Sequence, residues 1–270
     1  MSSKVFSAAT IGLKSEIVEV EVESYLSGLH HVSIVGLPDM AVKESQDRVG
    51  AAIRNSGFNP PQKCGRITVN LAPADLRKEG PVYDLPIALG FLLATKQAEF
   101  DYKDKLFLGE LSLDGHIRPV KGVLPMAIMA KEKGIGEIFV PRENAAEASI
   151  IEGTRVIPTE TLQSLISHLE GKSIIEPYPK INFEELLRQE GSFLDMKHVK
   201  GQGHAKRALE IAASGGHNVL LSGPPGSGKT LLAKTLPSIL PRLSLKEALE
   251  VIVKMTSGLI QGVPERKKAT

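Results

Sequence analysis

Gly223, Gly228, Lys229 and Thr230 complete the pattern G-x-x-x-x-G-K-[ST] inside Asn218-Val-Leu-Leu-Ser-Gly-Pro-Pro-Gly-Ser-Gly-Lys-Thr230. The chemistry of that spacing is phosphate binding. Glycines let successive backbone N–H groups turn inward around the phosphates, where side chains would obstruct them. The amine of Lys229 is a point charge for the phosphates, and the Thr230 hydroxyl is a ligand for Mg²⁺. Pro224, Pro225, Gly226 and Ser227 complete the loop, so the expected cofactors are ATP and Mg²⁺, with Thr230 as the metal ligand. The motif is meaningful only between a strand and a helix. Val219-Leu220-Leu221 before it predicts a buried parallel strand, and Leu231 to Leu236 after it predicts a helix whose N-terminus adds partial positive charge.

Other residues able to do chemistry are weaker candidates. His30-His31 are adjacent, so on a strand they face opposite ways, and no Cys or acidic partner follows at ligand spacing. His198, His204 and His217 surround the nucleotide segments, yet capping or packing accounts for each. Arg54, Lys63, Arg66, Arg77 and Lys78 read as solvated charge rather than a binding surface. Cys64 is the single cysteine; it excludes an intramolecular disulfide and suits a reducing, cytoplasmic setting. With 33 basic against 31 acidic residues, the net charge of +2 makes no global case for nucleic acid, and 4% aromatic content with no Trp weakens a base-stacking surface. Neither a leader pattern nor an apolar run of membrane-spanning length is found, so no membrane partner is expected.

The elements that must position these residues follow from periodicity. Ile17 to Glu23 alternates apolar and acidic residues, the mark of a half-buried strand with solvated glutamates. Strands are also predicted at Val32–Gly36, Arg66–Leu71, Glu137–Pro141 and Arg155–Ile157. Helices are predicted at Met40–Ser56, from the polar loop after Leu76 to about Thr95, and at Val123–Lys133, Glu143–Glu152 and Thr161–Leu169. Lys105 to Val120 reads as one hairpin turning at Asp114-Gly115. Strands and helices mix without strict alternation, which predicts an α+β domain over residues 1–172. Gly171 to Pro179 reads as the start of a linker covering 173–192, with an amphipathic Phe183–Leu187. The segment 193–270 then opens an α/β P-loop module, with a helix at Ala205–Ala213 stopped by Gly215-Gly216.

Lys78-Glu79-Gly80-Pro81 and Gly109 to Leu124 resemble the Lon-protease-like domain. In that alignment Val82 stands where active Lon has its nucleophilic serine and Leu124 where it has its lysine. A Ser–Lys dyad needs a hydroxyl beside an amine of depressed pKa, so the resemblance implies a fold kept as scaffold or binding surface, without peptidase activity; Lys121, three residues earlier, is no substitute. Asp195 to Gln202, the Ala-Lys-Arg-Ala-Leu-Glu helix, Gly-Gly-His-Asn and the P-loop resemble an AAA+ module of the magnesium-chelatase type. The two together, from Val5 to about Ile260, resemble the competence protein ComM family, also called YifB or magnesium-chelatase-like proteins.

That resemblance implies that Val199, Gly201 and Gln202 line the adenine pocket. It also implies a homo-oligomeric ring coupling ATP hydrolysis to remodelling of branched or single-stranded DNA in recombination and natural transformation. The alternatives are a magnesium-chelatase-type ATPase subunit and a non-enzymatic nucleotide-binding remnant. No Asp-Glu pair closes an apolar strand after Thr230, and Leu249–Val253 reads as a helix capped by Ser244, so an incomplete motor with weak or absent turnover is expected. The polar tail from Gln261 to Thr270, ending in Glu265-Arg266-Lys267-Lys268, reads as disordered rather than as nucleic-acid binding.

Overall fold

The computed structural model describes residues 2–12, 14–25, 31–181, 194–241, 243–244, 247–248 and 250–251. The chain divides into two compact units, Met1–Ile181 and Asn182–Glu250. His30, Phe183–Leu187 and the tail from Gln261 lie outside the described residues.

Two long strands, β1 (Ser2–Ile11) and β2 (Lys14–Tyr25), form an antiparallel hairpin. The alternation in β2 does what its period requires: Val18, Val20 and Val22 are buried while Glu19, Glu21 and Glu23 face outward. β4 (Arg66–Ala72) pairs antiparallel with β2, and β3 (His31–Val35) pairs parallel with β4, giving the order β1-β2-β4-β3. Between β3 and β4 runs α1 (Met40–Asn55), whose N-cap Asp39 accepts from Val42 N at 2.8 Å. Its buried face carries Val42, Val49 and Ile53.

The helix α2 (Asp84–Ala94) is apolar all round and buried, packed on β1 and β2 with α1 on its other side. Gly90 permits that approach, because a Cβ there would meet Val22 Cγ2 at 2.7 Å. A parallel sheet of order β5-β8-β9 is built from Lys105–Phe107, Glu137–Pro141 and Arg155–Thr159. The connecting helices are α3 (Val123–Glu132) and α4 (Ala145–Ala148), and α5 (Leu162–Leu169) follows β9 under its cap Thr161. The class of this unit is mixed α/β, with parallel and antiparallel pairing in one sheet.

Three sequence readings of this unit need correction. The hairpin is short, β6 (Glu110–Leu111) with β7 (Ile117–Arg118), because Lys105–Phe107 leaves it to pair with β8. The helix expected over 143–152 is one 3₁₀ turn and the four-residue α4. The Asn144 side chain is committed instead to both backbone groups of Val120, accepting at 2.9 Å and donating at 3.0 Å. Lys78 is not solvated: it is fully buried, and its amine donates to the Pro73 carbonyl.

In the second unit, α6 (Gly203–Gly215) and α7 (Lys229–Thr235) pack around Met196, Val199, Leu209 and Leu232. Gly216 ends α6 in the left-handed conformation. The predicted strand at Val219–Leu221 is not formed; Leu220 is 93% exposed. A strand exists only by pairing, and none of the described residues of this unit offers it one. Among the described residues, no helix is long and apolar enough to cross a membrane.

Candidate functional site

The loop Gly223–Gly228 leads into α7 at Lys229, as the spacing of the motif requires. Gly226 and Gly228 have φ of +79° and +85°, which glycine adopts without steric cost. A Cβ on Gly223 would stand 3.1 Å from Ser227 Oγ and 4.0 Å from Lys229 Cδ, so the absence of a side chain keeps the inside of the loop open. Lys229 Nζ reaches across it, donating to the carbonyls of Gly223 and Pro224 at 2.7 Å each and lying 3.3 Å from Ser227 Oγ. Ser227 Oγ donates to Pro224 O at 2.9 Å, tightening the turn, while Pro225 and Thr230 are exposed.

The segment Val199–Gln202 approaches the loop from before α6. The Val199 side chain is buried in the core and its carbonyl accepts from the Lys206 amine, so it anchors the segment rather than lining a surface. Gly201 and Gln202 follow with left-handed φ of +69° and +57°. Gln202 Nε2 then lies 3.5 Å from Ser227 O, at the long limit of a hydrogen bond. His198, His204 and His217 are exposed. No group of three or more His, Cys, Asp or Glu that could hold a metal occurs among the described residues. Ser244 and Glu247 form a reciprocal cap, Ser244 N donating to Glu247 Oε2 at 2.8 Å and Glu247 N to Ser244 Oγ at 3.3 Å.

The first unit holds a cleft of about 620 Å³ between the end of β1 and the turn before α2. Val82, Lys121 and Met126 line it; Leu124 is buried in α3 and does not. Asp39 fixes the turn, accepting from Gly80 N at 3.1 Å with the oxygen that its cap to α1 leaves over. Behind the turn Asp84 is fully buried. It accepts from Arg48 Nε at 2.8 Å, Leu111 N at 3.2 Å and the Ser45 hydroxyl, tying α1, α2 and β6 together. Burial raises its carboxyl above the ordinary range against the pull of Arg48 and Ser45.

Tyr83 is also fully buried, and its hydroxyl has no hydrogen-bond partner among the described residues. Burial pushes that phenol far up, with Asp39 and Glu79 adding to the effect. Sequence reasoning missed Asp39, Tyr83 and Asp84. The signal was a Tyr-Asp pair opening an otherwise apolar helix.

Comparison with known proteins follows the same division of the chain. Residues 18–144 match the family described as Subunit ChlI of Mg-chelatase, and residues 195–268 match Magnesium chelatase, subunit ChlI. The chain is 43% identical over 248 residues to Competence protein ComM of Haemophilus influenzae, covering 91% of this chain and 48% of that protein. It is 44% identical over 250 residues to the uncharacterized protein YifB of Escherichia coli, covering 92% and 48%. Lon protease 2 of Bacillus subtilis is 28% identical over 128 residues, 47% of this chain and 22% of the protease. The chain spans about half the length of these two relatives. It belongs to the ComM/YifB family of magnesium-chelatase-like proteins.

Proposed function

We propose that Gly223–Thr230 binds ATP with Mg²⁺, as the nucleotide site of an AAA+-type module beginning near residue 193. The observation carrying the proposal is the Gly223 position, where a side chain would fill the space between Ser227 and Lys229. The backbone of Gly226 and Gly228 would turn N–H groups toward the phosphates, and Lys229 would exchange its two carbonyl partners for phosphate oxygens. Thr230, exposed at the first turn of α7, would be the Mg²⁺ ligand. Gly201 and Gln202 would border the base, held by the buried Val199. The bound metal would supply charge neutralisation at the phosphates.

Beyond binding, the family supports an ATPase that works as a ring, and the name of the Haemophilus relative supports a role in competence; DNA remodelling is the form of that role the family resemblance implies. Val219 and Leu220, exposed and unpaired among the described residues, favour nucleotide binding without efficient turnover by this chain, since a water-orienting acid would have to come from a neighbouring strand. A chelatase-type role is the alternative carried by the family descriptions.

Fluorescent ATP binding and ATP hydrolysis, each with and without branched DNA, test these readings. Binding by the chain should weaken at least tenfold in Lys229→Ala. DNA-stimulated turnover lost in that variant supports the remodelling motor. Binding untouched by the substitution refutes the site.

A further inference from the structure

Granted the nucleotide site at Gly223–Thr230, on which this reading rests, we propose that Gln202 is a positioning residue whose side chain tethers the turn bordering the base to the loop that holds the phosphates. The turn is anchored on the side of α6. Val199 is buried in the core and its carbonyl accepts from the Lys206 amine, while Gln202 O accepts from Lys206 N at 2.9 Å. Between those anchors Lys200, Gly201 and the Gln202 side chain are exposed. These bonds tie the turn to α6, and none of them reaches the phosphate loop. Gln202 Nε2 does, lying 3.5 Å from Ser227 O. The backbone at Gln202 gives that contact its weight. Its φ of +57° lies in the left-handed region, which favours glycine and, among residues with a Cβ, asparagine. Gly201 beside it, at +69°, meets the same demand with glycine; position 202 does not. Asparagine would fit that backbone with less strain, but it is one methylene shorter and would fall short of a contact already at its limit. Glutamine supplies the reach.

The loop does not depend on this tether for its own shape. Ser227 donates to Pro224 O from its hydroxyl at 2.9 Å and from its N–H at 3.4 Å, and Lys229 spans the loop to the carbonyls of Gly223 and Pro224. Phosphates therefore meet a formed loop with or without Gln202, whereas the base needs the turn held at a fixed distance from it. Fixing the turn before the ligand arrives removes an ordering cost from binding, and one exposed hydrogen bond is enough for that. A ligand made of phosphates alone gains nothing from the tether. A nucleotide and a bare polyphosphate thus respond differently to loss of the amide, while a residue that only braced the fold would move both.

The test is titration calorimetry of the full chain with ATP and with inorganic tripolyphosphate, each with Mg²⁺. Gln202→Asn and Gln202→Gly both suit the left-handed backbone, and both lack the reach. Each should weaken ATP binding about fivefold, the size of one neutral hydrogen bond, and leave tripolyphosphate binding within about twofold of the parent. Without nucleotide, amide exchange in α6 and α7 should be no faster in Gln202→Asn, whose backbone fits the turn at least as well. ATP binding unchanged in both variants overturns the proposal. So does an equal loss of both ligands, which would make Gln202 a support of the loop, and so does faster exchange in α6 alongside weaker binding, which would make it a support of the fold. Lys229→Ala separates the two readings. If it weakens both ligands while the Gln202 variants match the parent, the tether fails and the site stands. No binding of either ligand, or binding indifferent to Lys229→Ala, overturns the site and the tether with it.

Discussion

At the scale of single residues, two groups that pattern reading did not place, Tyr83 and Lys78, are fully buried. Tyr83 has been taken out of water with its hydroxyl unpaired. A buried hydroxyl in that condition costs about 1–3 kcal/mol. Tyr83→Phe is therefore expected to stabilise the first unit by about 1 kcal/mol in a urea titration. A loss of stability would mean that the hydroxyl is bonded after all. Lys78 was read as one of several surface cations because a charge in a polar loop is usually solvated. Its burial comes from the folding of 73–78 over its own amine, a contact no linear pattern announces. Burial lowers the pKa of that amine.

At the scale of elements, His168 shows how the end of the first unit is held. Its Nδ1 accepts from Ile175 N at 2.9 Å, and its ring packs on Phe139 with centroids 5.7 Å apart. Two residues beyond Glu176, Tyr178 N donates to Val156 O at 2.8 Å, so part of the predicted linker is laid along β9. Burial lowers the imidazole pKa below its ordinary 6.5; Arg155 and Lys105 push the same way and Glu137 opposes them. The folded chain thus binds its proton less readily than the unfolded chain. The contribution to stability is complete above about pH 6.5 and is lost as pH falls from there through the folded value. Exchange of the Ile175 amide should accelerate below pH 6 beyond its intrinsic rate, and His168→Gln, which keeps an acceptor without titrating, should flatten that dependence. An identical profile in both proteins would show that His168 does not hold the strap.

Elements were legible where the signal is local. The α1 and α5 helices lie within a residue of their predicted bounds, and in the structure Asp39 and Thr161 cap them. The mixed-up hairpin and the missing strand at Val219–Leu221 share one cause: an apolar run says that a strand is affordable, not which partner it takes. Lys105–Phe107 found β8, over thirty residues on, instead of its neighbour in sequence. Of the candidate sites, the loop at Gly223–Thr230 is readable from sequence because eight consecutive positions carry the motif. The cleft was not, because Thr10, Tyr83 and Lys121 meet only through the fold.

At the scale of the whole molecule, the chain divides into two units, and both proposals lie in the second. Among the described residues the core of the second unit is small: Met196, Val199, Leu209 and Leu232 are buried together, with Leu221, Leu236 and Ile239 half-buried against them, while Leu220 and Ile211 stay exposed. Cores of that size supply only about 3–5 kcal/mol. Such a unit opens readily, and anything that binds its folded form shifts the balance visibly. A nucleotide present at a hundred times its Kd would add about 2.7 kcal/mol. ATP with Mg²⁺ should therefore slow amide exchange throughout α6, α7 and the loop between them by up to about a hundredfold, leaving α2 and β2 unchanged. Lys229→Ala should need at least tenfold more nucleotide for the same protection. Protection confined to Gly223–Thr230 would instead mean that the unit is already stable without its ligand. Protection extending equally into α2 would mean that the two cores unfold as one. Because exchange is read peptide by peptide, the measurement also separates a failure of nucleotide binding from a change in the first unit.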